Sequence, residues 1–104
     1  MNIQKKSWIK PGYLSQVFRA DERRMEFDCK NQTVVQKECP VDIVFIGDSI
    51  TQMWELEAYF HKYHLMILNR GIGGDRTQSF LHRFYADAIQ LKPKMVIVMV
   101  GIND

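Results

Sequence analysis

The stretch VDIVFIGDSIT, residues 41–51, runs a short apolar segment into a polar turn that carries a glycine. Apart from Asp42, the first six residues are β-branched or aromatic, the composition of a strand buried on both faces. The next sixteen residues, SITQMWELEAYFHKYH, set Ile50, Met53, Trp54, Glu57, Phe60 and His64 near helical spacing, which predicts one helix directly after the strand. LMILN (65–69) reads as a second strand. DRTQSFLHRFYADAIQL (75–91) reads as a second helix, with Phe80, Leu81, Phe84, Tyr85, Ala88 and Leu91 along one stripe and Pro93 marking its end. MVIVMV (95–100) reads as a third strand. Apolar strands alternating with helices specify an α/β fold with three layers, a parallel sheet covered by helices on both faces. Right-handed crossovers put the first strand in the centre and give the order 2-1-3.

The first forty residues differ. Leu14, Val17, Phe18 and Met25 have the spacing of a short amphipathic helix, and KNQTVVQKECP (30–40) reads as a turn and a short segment of ambiguous type, closed by Pro40. Residues 1–40 are therefore expected to be a helical arm, and residues 41–104 the α/β domain. A chain of 104 residues holds one domain at most and a modest core.

Composition narrows the function. The formal charge is +2, with acids and bases interspersed, and no basic block points to nucleic acid. The start, MNIQKKSWIKPGYLSQVF, has lysines but no apolar segment after them, so no signal peptide is expected. No apolar run is long enough to span a membrane. Cys29 and Cys39 have neither CxxC spacing nor a histidine at zinc spacing, and they read as reduced thiols of a cytoplasmic protein. A disulfide between them would require export.

Each strand hands over to a glycine-bearing loop: GDSIT, then NRGIGGDRT, then GIND. In a parallel sheet all three loops lie at the carboxyl edge, and the order 2-1-3 makes that edge a topological switch point, where open α/β sheets bind ligands. Ser49, Gly74 and Asn103 are thus expected at one crevice. Ser49 has two readings, an N-cap serine or a nucleophile with helix N–H groups nearby. GIGGD is neither GxGxxG nor a Walker A sequence; its glycines serve a tight turn, and one of them can also aim its N–H at an oxyanion. Asn103 is either a turn residue or a further donor. His61 and His64 could form half a metal site, but no third ligand accompanies them, and His82 reads as a helix-face residue.

Taken in order, IGDSIT, NRGIGGD and GIND resemble the first three signature blocks of the SGNH, or GDSL-motif, hydrolase superfamily. The branch containing platelet-activating-factor acetylhydrolase-like and carbohydrate-acetylesterase-like proteins is the most similar, over about Val41 to Asp104. The resemblance implies a flavodoxin-like sheet of five parallel strands. It also implies hydrolysis of a small-molecule acyl or acetyl ester through an acyl-serine intermediate, without metal or cofactor. By position, Ser49 would be the nucleophile. The N–H groups of Ser49 and Gly74 and the amide of Asn103 would form the oxyanion hole, with Asp48 and Asp104 as structural neighbours.

The family's general base is a histidine in a late DxxH block, and all three histidines here precede the third strand. The expectation is therefore an amino-terminal part of a longer hydrolase, inactive alone, with the third strand covered by self-association or by the remaining carboxyl-terminal part. The alternatives are a non-catalytic binding or interaction protein that keeps the crevice, and a flavodoxin-like nucleotide or phosphate binder.

Overall fold

The computed structural model describes residues 13–104, with side chains from residue 21 on. The stripe of Leu14, Val17 and Phe18 lies outside the described side chains. The elements are α1 (Tyr13–Gln36), β1 (Ile43–Gly47), α2 (Ser49–Gln52), α3 (Leu56–Phe60), a 3-10 turn (His61–Tyr63), β2 (Ile67–Gly71), α4 (Thr77–Asp87), a second 3-10 turn (Ile89–Leu91) and β3 (Met95–Met99).

The three strands form one parallel sheet in the order β2-β1-β3, as the crossover argument requires. Ile43 pairs with Ile67 and Met95, and Gly47 pairs with Gly71 and Met99, so the strands end level with one another. Alternation along β1 sends Val44 and Ile46 to one face and Phe45 to the other. Val44 and Ile46 are fully buried in a cluster with Val41, Phe80, Ala88 and Leu91, against which Val34, Leu68, Phe84 and Val96 pack. This face is covered by α1 and α4. On the opposite face Phe45 meets Trp54 edge-on at 5.1 Å and Phe60 at 5.9 Å, beneath α2 and α3.

Three local expectations change. The helix predicted after β1 is broken. It stops after one turn at Gln52 and resumes at Leu56. The carbonyls released by the break are taken by Asn69 on β2, whose Nδ2 donates to Thr51 O at 2.7 Å and to Trp54 O at 3.4 Å. Ile50 and Met53 consequently lie exposed. His61 begins the 3-10 turn and His64 follows it with φ 55°, so the two do not share an α-helical face.

The second change is in α1, which continues past Met25 to Gln36, through the stretch read as a turn and a segment of ambiguous type. Phe27, Asn31 and Val34, at helical spacing, turn inward. Phe27 and Asn31 are each only 1% exposed. Third, the α4 stripe is split. Phe80, Ala88 and Leu91 are buried, whereas Leu81 and Tyr85 face outward.

The two outer edges of the sheet differ. Along β2, Arg23 Nε donates to Gly71 O at 2.5 Å and Arg70 Nη1 to Asn69 O at 3.3 Å, while Gly71 N donates to Asn69 Oδ1 at 2.9 Å. Side chains thus occupy backbone groups that another strand would otherwise pair with. Among the described residues no side chain does this along β3, where Met95 and Val98 are about half exposed.

Candidate active site

Asp48 follows β1 directly. It is extended and buried, and its Oδ1 accepts the N–H of Ile50 at 3.0 Å. Asp48 is therefore the N-cap of α2, which corrects the capping role considered for Ser49. Ser49 becomes the first residue of the helix, partly exposed. Among the described residues nothing hydrogen-bonds its hydroxyl, and its backbone N–H is one of the orphan donors of a helix start.

The second loop lies against this helix start. Gly71 is required there: a β-carbon would collide with the backbone of Gln52 and Thr51. A methyl group on Gly73 would come 3.7 Å from Ser49 Cβ, so this loop borders the serine. Gly73 N donates to Gln52 Oε1 at 2.5 Å, and Asp75 N donates to Ile72 O at 3.1 Å. Between them Gly74 has φ +82°, a conformation that favours glycine, and its N–H has no partner among the described residues.

The third loop is tied to the second. Asn103 Nδ2 donates to Asp75 O at 3.0 Å. Asp104 accepts from Thr77 at the start of α4, Oδ1 from the backbone N–H at 2.8 Å and Oδ2 from the hydroxyl at 2.5 Å. The Thr77 hydroxyl, then its N–H, hold the Asp104 carboxyl below the usual carboxylate range. Ser49, Gly74 and Asn103 therefore stand on three loops that meet at the carboxyl edge of the sheet. His61 and His64 are exposed beyond α3, and His82 lies on α4. None of the three hydrogen-bonds Ser49 among the described residues.

Beneath the loops is a charged network that the sequence reading did not identify. Arg83 Nε donates to Asp75 Oδ2 at 2.9 Å, Nη1 to Asp87 Oδ2 and to Arg70 O at 2.9 Å each, and Nη2 to Gly47 O at 2.9 Å. Asn31 on α1 accepts from Arg70 Nη2 at 2.9 Å and donates to Asp87 Oδ1 at 2.7 Å. Arg70, Arg83, Asp75 and Asp87 are all nearly inaccessible, and their formal charges cancel. Burial lowers the Arg70 guanidinium from its ordinary value, with Asp87 acting against that shift. The remaining oxygen of Asp75, Oδ1, has no hydrogen bond; Arg24 Nη2 lies 3.7 Å from it.

A doubly wound parallel sheet with these loops gathered at its switch point defines an α/β protein of the flavodoxin-like kind. Residues 45–104 match the GDSL-like Lipase/Acylhydrolase family. The chain belongs to that family, within the SGNH hydrolase superfamily that IGDSIT, NRGIGGD and GIND resembled. It is 32% identical over 88 residues to human platelet-activating factor acetylhydrolase IB subunit alpha2, a match covering 82% of this chain and 35% of the relative. It is 41% identical over 71 residues to the rat alpha1 subunit, covering 65% of this chain and 31% of the relative. The chain thus spans about a third of the curated relatives it matches. A solved structure from Streptococcus pneumonia, described as a platelet activating factor, superposes over the whole chain and 45% of its own length, with TM-score 0.74 and 22% identity. At that identity the likeness speaks for the fold.

Proposed function

We propose that this chain carries the nucleophile and oxyanion hole of a serine esterase that opens a small acyl or acetyl ester through an acyl-serine intermediate. The observation that supports this reading most is the pattern of hydrogen bonding in GIGGD. Of the three N–H groups from Gly73 to Asp75, only that of Gly74 is free among the described residues. That is the donor the family's chemistry requires. Ser49 attacks the ester carbonyl, and the negative charge on oxygen is received by the N–H groups of Ser49 and Gly74 and by Asn103. The Asn103 amide has a second N–H beyond the one held by Asp75, and that one can face the oxyanion. The names of the acetylhydrolase relatives favour an acetyl group as the acyl moiety.

A serine of ordinary acidity needs a base. We assign that role to a histidine outside this chain, so the chain by itself has little activity. The second reading, a binding protein that keeps the crevice, is favoured by the lack, among the described residues, of any histidine bonded to Ser49. The free thiols of Cys29 and Cys39 fit a reducing compartment, which we take to be the cytoplasm. The uncapped edge of β3 is covered, on this reading, by a second copy or by the remaining part of the protein.

The test is labelling of the full-length gene product with a fluorophosphonate. Labelling at Ser49 that disappears in Ser49→Ala supports the esterase. A folded full-length protein that takes up no label at this serine would leave the binding reading in its place.

A further inference from the structure

We propose that Arg83 is a positioning residue that sets the serine loop and the GIGGD loop in register with each other. This rests on the acyl-serine reading above and adds a residue outside the signature blocks. A guanidinium has five N–H groups in a rigid planar fork. In Arg83 four of them make hydrogen bonds. Nε donates to Asp75 Oδ2 at 2.9 Å, with Nη2 ion-paired to the same oxygen at 2.8 Å, and Nη2 donates to Gly47 O at 2.9 Å. Nη1 supplies Arg70 O and Asp87 Oδ2.

Two of these acceptors matter for the site. Gly47 is the last residue of β1, two positions before Ser49. Asp75 follows Gly74 directly, and its carbonyl orients Asn103. One planar group therefore fixes the distance between the loop presenting the nucleophile and the loop presenting the oxyanion donor, and through Asp75 it also reaches the third donor. A lysine has a point charge and three N–H groups, so it cannot meet these acceptors in one plane. The side chain is only 6% exposed. Its effect on the reaction passes entirely through the loops it holds.

The experiment uses the full-length gene product with Arg83→Lys, Asp75→Asn and Val41→Ala. Val41 is a core residue at the opposite edge of the sheet and controls for a general loss of stability. At a temperature where all are folded by circular dichroism, Arg83→Lys should lower kcat by about 10²-fold with little change in KM, as expected when reacting groups are displaced by about 1 Å. Val41→Ala should leave kcat unchanged. Amide hydrogen exchange supplies a second readout: Asp48–Ile50 and Gly73–Asp75 should both exchange faster in Arg83→Lys, and neither in Val41→Ala. If Arg83→Lys does not fold, Asp75→Asn, which keeps the other acceptors, should show the same pattern more weakly. A folded variant with wild-type kcat and unchanged exchange in both loops would overturn the proposal. If Ser49→Ala retains turnover, the acyl-serine reading fails on its own, and the exchange measurements alone decide the role of Arg83.

Discussion

Asn103 donates from Nδ2 to the carbonyl of Asp75 at 3.0 Å, so the side chain closing the third loop is aimed by the backbone of the second. The amide uses one N–H for this internal bond and, on the proposed reading, keeps the other for the crevice. A donor fixed in this way does not have to be ordered when charge develops on the substrate, which is the condition for strong electrostatic stabilisation.

In the full-length protein Asn103→Ala is expected to lower kcat by about 10²-fold to 10³-fold, with a smaller change in KM, because an oxyanion donor acts mainly in the transition state. Steady-state kinetics on an acetyl ester measures both constants. A rise in KM alone would mean that Asn103 binds ground-state substrate instead.

The isolated 104-residue chain should hydrolyse p-nitrophenyl acetate barely faster than Ser49→Ala. Oxyanion donors without a base leave at most a residual rate. Serine-dependent turnover like that of an intact esterase would require a base within the chain, and His61, His64 and His82 would then have to be tested one at a time.

Asp87→Ala removes a carboxylate that accepts from both Arg83 and Asn31 and leaves a buried guanidinium short of a partner. The expected loss is about 3–5 kcal/mol. Lys30→Ala, which breaks the exposed pair with Glu26, should cost less than about 1 kcal/mol. Urea denaturation of the two variants compares them directly, and equal losses would contradict the importance of the buried network.

Asp42 and Asp104 make stability depend on acid. Asp42 accepts the N–H of Met66 and pairs with Lys94, and these hold its carboxyl below the usual range, as Thr77 does for Asp104. A carboxyl depressed in the folded state contributes stability above its unfolded pKa of about 3.9, and that stability is lost as pH falls through the lower folded value. The advantage of wild type over Asp42→Asn/Asp104→Asn in thermal melts should therefore be full at neutral pH and vanish in that acid range. An advantage that persists at the lowest pH would show that the two carboxylates act by something other than charge.

Sedimentation velocity of the isolated chain is expected to show self-association through β3, an apolar edge whose outward backbone groups have no partner among the described residues. Val98→Lys, at a half-exposed position, should reduce it. A monodisperse wild-type monomer with a sharp melt would remove the case for a cover on that strand.

The strands were readable because their apolar runs are short, β-branched and bounded by glycine or proline, and the handedness of crossovers then fixed their order. The same topology brings Ser49, Gly74 and Asn103 to one edge. The break at Trp54 was not readable, because the apolar spacing continues through it; the cause is Asn69, on another element, competing for carbonyls. The end of α1 was hidden in a similar way. Its buried face has Asn31 between Phe27 and Val34, and a polar residue there interrupts the apolar stripe by which such helices are recognised. The burial of Arg70, Asp75, Arg83 and Asp87 was not readable, since residues of these types are seldom buried unless paired, and the pairing exists only in three dimensions.

The side-chain caps along β2 give the sheet a direction of growth. Arg23, Arg70 and Asn69 occupy positions where a strand would be added on that side, whereas among the described residues the β3 side presents free main-chain donors and acceptors. A complementary fragment supplied in trans would therefore have a single place to zip on, beside β3, in one order and on one flank. That is the property wanted in a split reporter, where two inactive halves must reassemble in only one way to recover a signal.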